Sequence, residues 1–171
     1  MSSSTLAEQV RIFRWTAGFL IALLVLWTGP AVATTEAEQV AVYLLDVQEL
    51  SRMEHKAAEE AKQALRKVKA RKMTADAYER LLDQQVIPDY KKFVLALKKI
   101  KTPNLEVLKV HKMVVEGAGC QMKAYVGQRD AIAANDVQKM KSANALMRRG
   151  IKFMADYIKA VDALKLKYGL K

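Results

Sequence analysis

Apolar residues beyond position 35 recur at steps of three and four, the period of amphipathic helices. The clearest run is Val137, Met140, Asn144, Met147, Ile151, Met154, Ile158 and Val161, a coiled-coil-like seam with one polar member. It predicts a helix over 137–168, capped by Asn135-Asp136 and stopped at Gly169. An earlier segment, 35–71, aligns Tyr43, Val47, Leu50, Ala57, Ala61, Ala64 and Val68, with Glu54 interrupting the seam. Its acidic first half and basic last turns suit the helix dipole. A second segment, 74–100, starts at Thr74 as N-cap and carries Tyr78, Leu81, Leu82, Val86, Tyr90, Phe93, Val94, Leu97 and Ile100. Pro88 lies inside it. Proline lacks an amide donor and crowds the preceding turn, so a kink is expected near 84–88. The third segment, from Thr102 as N-cap and Pro103 as first helical residue to about 134, aligns Leu108, His111, Val115, Ala118, Met122 and Tyr125. Short connections between long helices favour antiparallel neighbours. The pattern therefore predicts an all-α, up-down-up-down bundle of about four long helices.

The third segment has a second stripe. Met113, Gly117, Cys120, Ala124, Gly127 and Ala131 step by four and three, nearly opposite the first face. Either this helix has one wide packing face inside the bundle, or its small residues receive another helix. The second reading makes Gly117, Cys120, Ala124 and Gly127 candidates for contact with a second copy or a helical partner protein.

The N-terminal part follows a different logic. Arg11 and Arg14 precede an uncharged apolar run, 17–27, then Gly29-Pro30 and Ala31-Val32-Ala33. That order is the signature of a secretory signal peptide with cleavage after Ala33. An uncleaved anchor is the alternative, since 16–33 lies near the lower limit of about 17–25 residues for a spanning helix. Either way, 1–33 is an apolar targeting helix and 34–171 a helical-bundle domain. The arginines stay inside and the domain is expected in the periplasm or on the outer face of the membrane. No cysteine follows the apolar run, which speaks against a lipid-anchored lipoprotein.

Composition fits this picture. A chain of 171 residues, 51% hydrophobic and 27% charged, can bury a core without disulfides or metals. Cys120 is the single cysteine, so an intramolecular disulfide, a CxxC pair and c-type haem attachment are excluded. The net charge of +11 favours acidic partners, but many cations fall where helix C-termini are expected, among them Arg66, Lys67, Lys98, Lys99, Lys165 and Lys167. The basic run 62–72 has no aromatic residue to stack a base. Nucleic acid is therefore not an expected partner, whereas an anionic envelope surface remains one.

Candidate chemistry is sparse. His55 and His111 are the only histidines, and neither has an acid three residues before it, as bundle metal sites require. No nucleophile or metal motif is present, so neither a catalytic residue nor a bound metal is expected. The leading expectation is an exported, non-enzymatic bundle acting by protein or surface contact. The alternative is a carrier of a small ligand or haem-like cofactor in the bundle interior, with a cavity lined by His111 and methionines.

Overall fold

The computed structural model describes residues 35–170; the targeting segment read at 1–33 lies outside them. Helix α1 is Glu36–Lys69, α2 Ala75–Leu81, α3 Ile87–Leu97, α4 Leu105–Ala133 and α5 Val137–Tyr168. A π-helical segment, Leu82–Val86, joins α2 to α3 without a break, so four long rods pack together. No strand occurs among the described residues, and none of their helices is long and apolar enough to cross a membrane.

The helix boundaries follow from local chemistry. Thr35 and Glu38 form a capping box: the Glu38 amide donates to the Thr35 hydroxyl at 3.2 Å, and the Thr35 amide to the Glu38 carboxylate at 2.7 Å. Thr74 caps α2 by accepting from the Ala77 amide. Asp136 caps α5 by accepting from the amides of Gln138 and Lys139. Gly169 closes α5 in the left-handed region, at φ +65°.

The start of α4 differs from expectation. Asn104, not Thr102, is the N-cap; its side chain accepts from the amides of Glu106 and Val107 at 3.0 and 3.1 Å. The Thr102 hydroxyl accepts from the Asn104 amide instead, which leaves Pro103 outside the helix. Asparagine is the better cap, and it is the residue that reaches two free amide donors.

Around Pro88 the rod widens and continues. The Ile87 amide donates to the Leu82 carbonyl, five residues back. This wider turn ends immediately before the proline, where a regular turn would press the ring against the carbonyl of Gln84.

The seam of α5 also differs. Ala143, Gly150, Tyr157 and Leu164 are its buried residues, flanked by half-buried Met147, Met154 and Val161. Val137, Ile151 and Ile158, expected in the seam, are 66%, 56% and 58% exposed. The buried face is turned by one residue because the closest approach to α4 is made at a glycine. A Cβ on Gly150 would stand 2.6 Å from Gln121 Cγ and 2.9 Å from the Gly117 carbonyl oxygen. Gly117 faces Phe153 and Met154, and Gly127 faces Ala143. Small residues on both helices thus bring α4 and α5 together. The larger apolar core gathers on the rod formed by α2, the π segment and α3 and on the first half of α1, with Tyr43, Leu82, Tyr90, Phe93 and Leu97 among its largest buried side chains.

Candidate functional site

A cleft follows from this uneven packing. In its second half α1 turns Ala57, Ala61 and Ala64 inward, where a bundle ordinarily places leucine or isoleucine. Alanine leaves space, and close-packed interiors leave little of it unfilled unless a ligand or water occupies it. Beside Ala61 and its neighbour Ala58 a cavity of about 360 Å³ is left. Glu54, Ala58, Ala61 and Leu65 of α1 form one wall, and Met147 and Ile151 of α5 the other. Tyr78, Gln121, Tyr125 and Gln128 line it from α2 and α4. Lys62 also lines it, with its side chain 57% exposed and its ammonium 3.2 Å from Glu59.

The polar groups around this cleft are tied together. The Tyr78 hydroxyl donates to Gln128 Oε1 at 3.1 Å, and Gln128 Nε2 donates to Asn144 Oδ1 at 3.0 Å. This chain explains the polar member of the α5 pattern, since Asn144 accepts the amide of a buried glutamine. The Tyr90 hydroxyl donates to Gln121 Oε1. Gln121 and Gln128 are only 6% and 4% exposed, so their fixed partners determine which of their atoms remain for a ligand. Nε2 of Gln121 donates to no other residue among those described.

Glu54 is the titratable group that matters. It is half-buried, and among the described residues no Lys or Arg pairs with it. Burial pushes its carboxyl above the usual carboxylate range, with adjacent His55 acting in the opposite sense. Burial also pushes up the phenols of Tyr90 and Tyr125, and the charge of Glu54 adds to both shifts. The Tyr78 phenol is raised to about 12 by burial. The cleft therefore pairs apolar walls with one unneutralised carboxylate and a few oriented amides and phenols, the composition of a small-molecule site.

His111 lies elsewhere. It is 6% exposed, its ring meets Tyr43 edge-on at 5.6 Å, and its Nδ1 has no hydrogen-bond partner. Burial holds the imidazole below its usual range, while a hydrogen bond to the Leu97 backbone acts against that shift. His111 borders a shallow depression with Lys98, Ile100 and Leu108 that contains no methionine. Among the described residues, Met147 lines the Glu54 cleft, whereas His111 borders this separate depression. Among the described residues no three His, Cys, Asp or Glu side chains cluster as metal ligands.

The small-residue stripe is occupied from within the chain. Gly117 and Ala124 are buried, Cys120 and Gly127 half-buried, and α5 lies directly against Gly117 and Gly127. The two apolar stripes of α4 are the flanks of one broad face whose centre carries Val114, Gln121 and Gln128. A second helix seated on Gly117 and Gly127 would have to displace α5.

Gln121 and Gln128 were not singled out by sequence reasoning. Their signal is positional: two glutamines seven residues apart fall on one side of a helix and fill the gap between its two apolar stripes. Comparison of the chain with protein-family models, curated proteins and solved structures gave no match.

Proposed function

We propose that the domain is a non-catalytic binding module for a small, largely apolar molecule, held in the cleft beside Glu54. One observation carries this reading. The bundle leaves about 360 Å³ open at a place where it also buries two hydrogen-bonded glutamines and half-buries a carboxylate with no Lys or Arg partner among the described residues. Keeping polar groups and empty space together lowers stability, and a ligand that fills the space compensates for it. The proposed frame is an up-down-up-down bundle. Contacts of Tyr168 with Glu36, of Lys167 with Glu106 and of Gly127 with Ala143 support opposed neighbouring helices.

The test is saturable binding of a neutral apolar fluorophore such as N-phenyl-1-naphthylamine. One molecule per chain is expected, and Ala58→Leu, which adds bulk to the α1 wall, is expected to weaken binding at least about tenfold by filling the site. Binding that does not saturate, or that is the same in the variant, would overturn the reading.

Contact with another protein is the second reading. Val42 and Leu45 favour it, being 57% and 65% exposed on the outside of α1. The place of action proposed for either reading is outside the cytoplasmic membrane, on the strength of the Arg11/Arg14, apolar-run, Ala31-Val32-Ala33 order. A C-terminal reporter that is active only after translocation is expected to be active on the full chain. Activity of a cytoplasm-restricted reporter instead would refute export.

A further inference from the structure

We infer that the ligand is a small organic amine, bound with its ammonium group on Glu54 and its apolar body against the alanine wall of α1. This rests on the cleft being a ligand site and names what the site selects. Glu54 occupies a seam position of α1, between Leu50 and Ala57, where the pattern calls for an apolar residue. A carboxylate there is partly withdrawn from water, yet no Lys or Arg among the described residues neutralises it. An uncompensated charge in such a position is costly, and a ligand cation removes the cost while gaining a strong, poorly screened interaction.

The rest of the lining agrees. The Tyr78 and Tyr125 rings supply electron-rich aromatic surface, which attracts ammonium groups. The Tyr125 hydroxyl makes no hydrogen bond to another described residue, and its oxygen can accept a second ammonium hydrogen. An anion is the poorer fit. Lys62, the one cation of the lining, is exposed and sits beside Glu59, so it offers little beyond a surface charge. An anion would also meet Glu54 unpaired.

Two probes of matched size separate the possibilities: 2-phenylethylamine and 2-phenylethanol, titrated against the full domain by calorimetry or by displacement of the fluorophore. The amine is expected to bind roughly ten- to a hundredfold more tightly, the range of a charge-assisted hydrogen bond. Glu54→Gln keeps the shape and removes the charge, and is expected to bring the two probes to equal affinity. Wild-type protein gives an independent reading through pH. The amine stays protonated in the acid range, so its affinity falls as pH falls and Glu54 is neutralised, whereas that of the alcohol does not. Tyr78 and Tyr125, which line the site, and Tyr90, which is bonded to Gln121 behind it, titrate far above this range. Lys62 and Glu59 also stand at the rim, and the variant distinguishes Glu54 from them and from its neighbour His55. Equal affinity of amine and alcohol, with no effect of Glu54→Gln or pH, would overturn the amine inference and leave the cleft reading standing. Failure of both probes and of the fluorophore to bind would overturn both.

Discussion

Phe93→Ala will destabilise the domain by about 3–5 kcal/mol, the cost of removing a large side chain from a closed core. Phe93 is 2% exposed and packs edge-on to Tyr90 at a ring separation of 5.5 Å, so neighbours held by their own contacts cannot close the space it leaves. Ile158→Ala, in the helix with the more regular apolar pattern, is expected to change stability by no more than about 0.5 kcal/mol, because Ile158 is 58% exposed. Chemical denaturation of the two variants measures both. A loss at Ile158 comparable to that at Phe93 would mean that the α5 seam runs through Val137, Ile151 and Ile158 after all.

Gly150→Ala is expected to cost about 1–2 kcal/mol, although alanine is the better helix former by about 0.5–1 kcal/mol. The added methyl would stand 2.9 Å from the Gly117 carbonyl oxygen, a backbone atom that cannot rotate away. It would also stand 2.6 Å from Cγ of Gln121, whose amide is held by Tyr90. The helices must therefore separate at their closest point. Gly119→Ala is the control. Apart from its chain neighbours and its own helix backbone, no atom lies within 4 Å of its added methyl, so only the helix-propensity term acts and a gain of about 0.5–1 kcal/mol is expected. Equal effects of the two substitutions, measured as shifts in denaturation midpoint, would show that α4 and α5 do not approach at Gly150.

How much of this was legible in the sequence depended on the size of the side chains involved. The helices were readable because caps and stops are local: Thr35, Thr74, Asp136 and Gly169 act within one turn of themselves. The side each helix turns inward was harder to read. Periodicity favours large apolar residues, so Ile151 and Ile158 outweighed Ala143 and Gly150, yet α5 comes closest to α4 where side chains are smallest. On α4, Gln121 and Gln128 made one continuous buried face look like two opposed stripes. The candidate site was obscured for the same reason. Glu54 read as an interruption and Asn144 as a lone polar member. Only the fold shows that one stands beside a cavity left by alanines, and that the other ends a hydrogen-bonded chain from Tyr78.

The π segment at Leu82–Val86 bears on that chain as well as on Pro88. Tyr78 and Tyr90 are twelve residues apart, and in an unbroken α-helix they would point about 120° away from each other. A turn closed over five residues absorbs one residue of surplus, which reduces the divergence to roughly 20°. Both phenols can then reach the same side of α4, where Gln128 and Gln121 stand seven residues apart, two turns of a regular helix. The register of one rod against its neighbour is thus corrected by a single residue. Were the same twelve residues wound as an unbroken α-helix, the two tyrosines could not both meet the two glutamines, even with every side chain of the pair retained.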